Sequence, residues 1–440
     1  MKNQQPQHIG IALLGAGVVG RGVLSILAGQ LALLRERTGT SFEIRHVVCR
    51  DPSKHADLAA KYPLTTDLNK AITDPQVQIV VEVMGGLGAG EHIAAALRAG
   101  KHVVTANKAL LAAKGVELFP LAKACDRSIG FEASCGGGIP IIDALTRGLL
   151  GNRIDALVGI INGTCNFILS KMSAAGTGYA DALKEAQELG FAEADPTLDV
   201  SGRDAAQKLA ILASLAFNAQ VTESDISITG IDTLEADDIR FADELGYSIK
   251  LLAIAERVND SLALRVHPTL IHHGELLADV SGSFNAISVY GHAIGHQFFY
   301  GRGAGQMPTA SAVVADMLGV AMGIIPHAFA RLNIYPGQLA PTKVLPIDHL
   351  QSRYYLRVSA ADVPGVFADI TEALGRNNIS LSGVYQKEIE AGTSTVPVVV
   401  TTHKAPEGAM RKALAQINAL ATIKSPTVCL RIVDAPKEFA

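Results

Sequence analysis

Between Glu193 and Lys208 the chain gathers four carboxylates and a lysine (Glu193, Asp195, Asp199, Asp204 and Lys208) within 16 residues of largely apolar, alanine-rich sequence. Several carboxylates suit an ammonium-bearing ligand, and they hold a neighbouring lysine in its charged form. A lysine ammonium can stabilise a developing oxyanion and hand it a proton. Asp204 and Lys208 are four residues apart. A helix opening at Ser201-Gly202-Arg203-Asp204 and running through Phe217 presents both on one face. Two plainer readings stand beside this one. Ser201 and Asp204 have capping-box-like spacing, and Asp204 with Lys208 reads equally as a surface ion pair.

Three further stretches carry chemistry-bearing residues. Thr105-Ala106-Asn107-Lys108 closes an apolar run, and its lysine is either a surface charge or a group reaching a ligand. Glu132-Ala133-Ser134-Cys135-Gly136-Gly137-Gly138-Ile139-Pro140 puts three glycines behind a cysteine. That pattern fits a thiol nucleophile on a tight turn, a loop whose carbonyls bind something, or a buried structural cysteine. Asn162-Gly163-Thr164 is either a polar loop serving a substrate or an ordinary Asn-Gly turn.

The elements that must position these groups begin with His8–Leu14, an apolar run suited to a buried parallel strand. It leads into Gly15-Ala16-Gly17-Val18-Val19-Gly20, a GxGxxG turn before a helical pattern. Glycine there lets the backbone turn tightly and approach a pyrophosphate, and the helix N-terminus faces that anion. Strands at 42–49, 77–83, 102–105 and 128–133 alternate with helical patterns such as 91–99, which predicts a doubly wound parallel sheet. The second strand ends Cys49-Arg50-Asp51, with Lys54 nearby. An acid there grips the ribose of NAD and an arginine accommodates the 2′-phosphate of NADP. The balance leans to NADP with dual use, unless Arg50 and Lys54 are solvated loop charges. Met84-Gly85-Gly86 marks another strand end of the kind where ligands collect.

Composition narrows the class. The chain has 440 residues, a formal net charge of −4 and 48% hydrophobic residues, the profile of a globular protein of about three domains. No basic block appears, which argues against nucleic-acid binding. The five cysteines lie far apart with no CxxC pair, which excludes a disulfide scaffold and points to a reducing, cytoplasmic setting. The polar start MKNQQPQ does not read as a signal peptide. No uncharged apolar run reaches the length of a membrane span, so no membrane partner is expected. The histidines His267, His272, His273, His292 and His296 lack zinc spacing, and Gly291 and Gly295 argue against a helix under the last two.

Toward the C-terminus Pro336, Pro341 and Pro346 mark a boundary, with a linker over 347–353. Strands at 354–358, 379–388, 395–401 and 428–433 and helices from Phe367 to about Arg376 and 408–419 give the order βαββαβ, a ferredoxin-like pattern. With Asp362-Val363-Pro364-Gly365-Val366-Phe367 at the first turn, it resembles an ACT domain. The module is expected either to bind an amino-acid effector between paired copies or to serve structure and oligomerisation alone.

The spacing from Ala186 to Lys208, A-x3-G-apolar-A-x2-D-P-x2-D-V-x-G-x-D-x3-K, resembles the signature of homoserine dehydrogenase. GAGVVGRG, TANK, EASCGGGIPII and INGT are similar to that family too, in its order, and the resemblance spans essentially all 440 residues. It implies an α/β protein with three parts. These are a Rossmann-type NAD(P)-binding domain over 1–145 completed by about 306–335, an α+β catalytic and dimerisation domain over 146–305, and an ACT regulatory domain over 353–440. It implies reversible NAD(P)H-dependent reduction of L-aspartate 4-semialdehyde to L-homoserine, in threonine, methionine and isoleucine biosynthesis.

In that reading Lys208 is the proton donor and Lys108 shares the catalytic role. Glu193, Asp199, Asp204, Gly163 and Thr164 meet the substrate. Gly15, Gly17, Val18, Val19, Gly20, Arg50, Lys54, Thr105, Lys108 and Gly303 meet the cofactor. Glu132, Cys135, Gly137 and Ile139 correspond to a monovalent-cation loop, for sodium or potassium, built mainly of carbonyl oxygens. Gly301-Arg302-Gly303-Ala304-Gly305 leads back to the nucleotide domain, unless it is a flexible hairpin turn. Cys165 stands where the family commonly has threonine. The resemblance also implies a homodimer or homotetramer, a threonine effector and, with no aspartokinase-like segment before the first strand, a monofunctional enzyme. Two other functions are weighed against it: a semialdehyde dehydrogenase working through Cys135, and a catalytically silent amino-acid sensor.

Overall fold

The computed structural model describes residues 7–386 and 395–434. The MKNQQP start, the Lys387–Glu388 end of the expected third-last strand and the residues after 434 lie outside the described residues. The chain divides into two compact units, taken in turn.

The first unit comprises Met1–Leu157, Ala205–Asp225 and Phe284–Thr342. Its sheet has six parallel strands: β1 (Gln7–Leu14), β2 (Thr40–Val48), β3 (Leu64–Thr65), β4 (Ile79–Glu82), β5 (His102–Thr105) and β6 (Ile129–Gly130). They lie in the order β3-β2-β1-β4-β5-β6, the doubly wound dinucleotide-binding topology. Ile11, Leu13, Val47, Val81 and Val104 are fully buried, as expected of strands covered on both faces. Strand order reverses between β1 and β4, and the carboxyl ends of those two strands open the crevice where such sheets take ligands.

Helix Val18–Thr38 covers this sheet. By length and composition it is the one single helix among the described residues apolar enough to cross a membrane. Its small-residue side is instead packed: a Cβ on Gly22 would lie 2.7 Å from the Gln306 carbonyl and 2.8 Å from Ala310 Cβ. The partner is helix Gln306–Ala321, at the start of the 306–335 stretch expected to complete this domain. A cluster of Phe119, Phe131, Phe329 and Tyr335, with ring centroids 4.5–6.2 Å apart, fixes the segment that follows. The expected strand over 128–133 is only Ile129–Gly130. The Asp316 carboxylate accepts the Glu132 N–H at 2.8 Å, so the chain leaves the ladder and turns through Glu132–Ser134.

The second unit comprises Val158–Asp204, Ile226–Ser283 and Lys343–Ala440. Strands Tyr247–Val258 and Ser261–His272 form a long antiparallel pair. Beyond it the βαββαβ module has the sheet order Val428–Ile432, Gln351–Ala361, Thr395–Thr402, Leu381–Gln386, with helices Val366–Arg376 and Glu407–Asn418. Its core is Tyr354, Leu356, Val358, Ile370, Leu374, Val398, Val400, Met410 and Ile417. The module continues the longer sheet, because Val428–Ile432 also pairs in parallel with Ser261–His272, Thr269 opposite Arg431. A buried ion pair, Arg357 Nε to Asp238 Oδ1 at 2.6 Å, ties it to helix Ala236–Glu244. The linker is shorter than expected. Gln351–Arg353 is already strand, because Gln351 and Ser352 pair with Pro406 and Ala405, and Arg353 with Ile432.

Candidate active site

The nucleotide turn follows from three glycines with different tasks. Gly15 has φ +118°, and a Cβ there would lie 2.9 Å from the Val83 carbonyl. A Cβ on Gly20 would lie 2.1 Å from the Gly15 carbonyl, so helix and turn close on each other only without a side chain. A Cβ on Gly17 would meet nothing within 4 Å. Gly17 is the N-cap of helix Val18–Thr38 and supplies no side-chain acceptor, which leaves the helix N-terminus open to an anion. Val18 beside it is exposed and Val19 half-buried.

After β2, the Asp51 carboxylate accepts the Ser53 N–H at 3.1 Å and hydroxyl at 2.6 Å, while Lys54 Nζ stands 4.0 Å away and Arg50 is exposed. Arg21, which sequence reasoning did not single out, makes a two-pronged contact with Asp57 at 2.6 and 3.1 Å. That contact holds the Asp57 carboxyl below the usual range.

The ends of β4 and β5 are tied by Glu82, also missed. Its buried carboxylate accepts the Met84 and Gly85 N–H groups at 2.8 and 3.0 Å and the Thr105 hydroxyl at 2.7 Å. Thr105 Oγ1 accepts the Asn107 N–H at 3.1 Å. Asn107 caps helix Lys108–Ala124 through the Leu110 N–H and donates to the Gly86 carbonyl at 2.8 Å. The only sequence signal for Glu82 is a carboxylate in the middle of an apolar run. Half-buried Lys108 begins the helix that this network orients.

In the Glu132–Pro140 segment the Glu132 carboxylate accepts the Ile142 and Asp143 N–H groups at 2.9 and 2.7 Å. Burial pushes its carboxyl up to about 7. Burial and the Glu132 charge push Asp316 up to about 8. The Cys135 thiol is fully buried, 3.9 Å from the Lys208 carbonyl, and burial pushes it up to about 12. Such a thiol stays protonated and closed to solvent, the opposite of a nucleophile's setting. A Cβ on Gly137 (φ +57°) would lie 2.4 Å from the Gly303 carbonyl, and the Gly138 N–H donates to the Arg302 carbonyl at 3.0 Å. The segments around Gly137 and Gly303 are therefore in contact. Among the described residues no cluster of three or more His, Cys, Asp or Glu side chains has metal-binding geometry. His292 instead accepts the Arg153 N–H at 3.0 Å, and His296 stacks on Tyr290.

In the second unit Asn162 is the hub. It caps helix Gly163–Ala175, its Oδ1 accepting the Cys165 N–H at 2.8 Å. Its Nδ2 donates to Asp199 Oδ1 at 2.7 Å and to Asp204 Oδ2 at 2.8 Å. One amide thus holds together two of the expected carboxylates. The Thr164 hydroxyl donates to the Phe191 carbonyl at 2.7 Å and lies 3.4 Å from Asp199 Oδ2. The Cys165 thiol donates to the Asp199 carbonyl at 3.2 Å, a contact that a threonine hydroxyl would also make. Asp204 is 4% exposed and opens helix Arg203–Phe217; Lys208, 9% exposed, follows one turn later on that helix, in the stretch that belongs to the first unit. Burial of both rules out the surface ion pair. Glu193 is exposed, and only its carbonyl is engaged, by the Gln187 amide at 3.1 Å. Asp195 is exposed too and serves the turn at Thr197. Neither shares the Asn162 hub.

The Asn162 role was hidden in the sequence because an Asn-Gly pair reads first as a turn; the helix behind it makes Asn162 a cap whose second amide end is free for the carboxylates.

Known proteins are similar to this one along nearly the whole chain. Residues 140–318 match the family model for homoserine dehydrogenase, 15–132 its NAD-binding domain and 354–420 the ACT domain. Homoserine dehydrogenase of Pseudomonas aeruginosa is 42% identical over 436 residues, covering 97% of this chain and 99% of the relative. The crystal structure of a homoserine dehydrogenase from Thiobacillus denitrificans superposes with a TM-score of 0.91 at 44% identity, covering 97% of this chain and 99% of that one. A hyperthermophilic archaeal homoserine dehydrogenase in complex with NADPH gives a TM-score of 0.61 at 26% identity, over 71% of this chain and 97% of that one. The nucleotide-binding domain, the catalytic domain and the ACT module each match that family's own parts, and the chain belongs to the homoserine dehydrogenase family of NAD(P)-dependent oxidoreductases.

Proposed function

We propose that Lys208 is the proton donor in the reduction of L-aspartate 4-semialdehyde to L-homoserine. One observation carries this reading: Asn162 holds the carboxylates of Asp199 and Asp204 together, and Lys208 stands one helical turn beyond Asp204. The bound nicotinamide supplies the hydride to the aldehyde carbon. Asp199 and Asp204, with Thr164, Gly163 and Glu193, receive the polar end of the substrate, its ammonium matching their charge. The Lys208 ammonium stabilises the oxygen as negative charge develops and gives it a proton; in the reverse direction the neutral amine takes the proton from homoserine. Lys108, oriented by Asn107, shares this work from the cofactor side.

The cofactor is NADP, with NAD also accepted. Gly15, Gly17, Val18, Val19 and Gly20 receive the pyrophosphate, Arg50 and Lys54 the 2′-phosphate, and Thr105, Lys108 and Gly303 the nicotinamide end. The division of labour is nucleotide binding by 1–145 and 306–335, catalysis and dimerisation by 146–305, and regulation by 353–440.

A sodium or potassium ion fits the Glu132–Ile139 loop only through main-chain carbonyls of Glu132, Cys135, Gly137 and Ile139. The Glu132 carboxylate already serves two backbone donors and the Cys135 thiol is protonated. Such an ion would fix the loop that touches Gly303.

Cys135→Ala tests the competing thiol route. Homoserine oxidation is expected to stay within about threefold of wild type, the scale of a small packing change. A loss beyond about a hundredfold would instead assign the reaction to the thiol.

The ACT module is read as an effector site for L-threonine in a homodimer or homotetramer. A cavity of about 370 Å³ lies at its first turn, lined by Asp362, Val363, Gly365, Phe367, Gln386 and Val398. Val384 and Tyr385 on the edge strand Leu381–Gln386 are exposed, as a surface for self-association would require. Titration calorimetry with L-threonine is expected to give saturable heat that Val363→Asp removes, together with inhibition of homoserine oxidation. Absence of heat at millimolar threonine would leave the module a structural one.

A further inference from the structure

Asn285 is the second residue of strand Phe284–Gly291 and is 1% exposed. Neither its Nδ2 nor its Oδ1 has a hydrogen-bond partner among the described residues. A buried amide with both ends unpaired destabilises a fold, and a leucine carries the same branched skeleton without that penalty. The position of the amide suggests its use. Asn285 lies opposite Gly301 in the hairpin with Gly295–Arg302, and its carboxamide lies against the Cα of Gly303. A Cβ on Gly303 would be 1.9 Å from Nδ2 and 2.0 Å from Cγ. From another side, a Cβ on Gly137 would be 2.4 Å from both C and O of Gly303 and 2.8 Å from Ala304 N.

The Gly303–Ala304 peptide is therefore held between Gly137 and the unpaired carboxamide. Its neighbour is fixed, because the Arg302 carbonyl accepts the Gly138 N–H at 3.0 Å. On the far side Gly305, with φ +126°, takes a conformation that side chains rarely allow. Between these two points stand the peptide groups around Gly303, and a carboxamide offers both N–H donors and a C=O acceptor, the complement of a peptide's C=O and N–H.

We infer that Asn285 is a positioning residue for the nicotinamide end of the cofactor site, its carboxamide pairing with the peptide groups of Gly303 when the Gly301–Gly305 segment closes on bound NADP(H). The inference rests on the reading that Gly303 meets the nicotinamide. It makes the empty hydrogen-bond capacity of Asn285 a store that cofactor binding draws on: the unloaded enzyme carries the unpaired amide and the loaded enzyme satisfies it. It also explains why residue 303 is a glycine, since any side chain there would displace the carboxamide.

Two measurements on the full-length protein test this. In wild type, hydrogen exchange is followed with and without NADPH. Slower exchange is expected over both 15–20 and 301–305. Protection of 15–20 alone would overturn the placement of Gly303, and the inference with it. In Asn285→Leu, NADPH affinity is read by fluorescence titration and unfolding by a thermal melt without cofactor. The expected result is affinity weaker by roughly tenfold, about one hydrogen bond, in a protein that melts no lower than wild type. Wild-type affinity in Asn285→Leu, with 301–305 still protected, would overturn the role of Asn285 alone. A lower melting point without cofactor would also overturn it, by showing that the amide is already satisfied. Asn285→Ser, smaller and still polar, is expected to show the same weakening of NADPH affinity, and wild-type affinity in it counts against the inference.

Discussion

Lys208→Ala is expected to lower kcat for homoserine oxidation by about a thousandfold or more, within the range for removal of a general acid–base group combined with an electrostatic stabiliser, and to leave NADPH affinity near wild type. The separation between the two effects follows from placement. Lys208 sits on helix Arg203–Phe217, one turn beyond Asp204, whereas the nucleotide turn lies between β1 and helix Val18–Thr38. Truncation leaves an alanine in a helix rich in alanine and leucine, a good helix former there, so the variant should fold. Lys208→Arg sharpens the result. Arginine restores positive charge but does not give up a proton at working pH. Activity that stays near the alanine level identifies proton transfer as the main contribution; recovery of most of it would identify charge alone. In Asp204→Asn the Asn162 amide keeps a carbonyl to bond, yet one of the negative charges proposed to meet the substrate's ammonium is lost. Its effect should fall on KM for homoserine more than on kcat.

Gly20→Ala is expected to abolish cofactor binding at micromolar NADPH and to destabilise the protein by about 3 kcal/mol, the upper end of an overpacking penalty. The added methyl would stand 2.1 Å from the Gly15 carbonyl, a main-chain atom that cannot swing aside. Relief requires moving the helix off the turn, and the helix is held from behind by the contact of Gly22 with Gln306 and Ala310. Gly17→Ala gives the matching control. Its methyl would enter open space, so the melting temperature should not change, while NADPH binding is expected to weaken, that space being the one proposed for the pyrophosphate. Differential scanning fluorimetry with and without NADPH reads both variants. Equal loss of stability in the two would contradict the division of tasks among the glycines.

The parts of this molecule that were legible in the sequence are those whose meaning is local. The GxGxxG turn announces itself because glycine is required by backbone geometry within six residues, and the apolar runs of β1, β4 and β5 read as covered parallel strands because both faces are buried. The βαββαβ order of the C-terminal module followed from alternation and turn residues alone. The carboxylates and lysine of 193–208 were legible as a group, but their sorting was not. Glu193 and Asp204 look alike in the sequence, and the difference between an exposed side chain and a 4% exposed one comes from Asn162, 42 residues before Asp204.

Residues whose role depends on distant partners stayed hidden. Glu82 ties two strand ends. Asp316, in the interior of a helix, reads as an ordinary polar position until Glu132, 184 residues away, donates to it. That contact also explains why the strand expected over 128–133 stops at Gly130. Asn285 is the extreme case, since its significance lies in the partners it lacks.

The central claim is that Lys208 transfers the proton. Homoserine-dependent reduction of NADP by wild type and Lys208→Ala, on preparations matched for NADPH binding and melting temperature, tests it most directly. Steady turnover is expected from wild type and a rate at least about a thousandfold lower from the variant. Equal rates from the two proteins would contradict it.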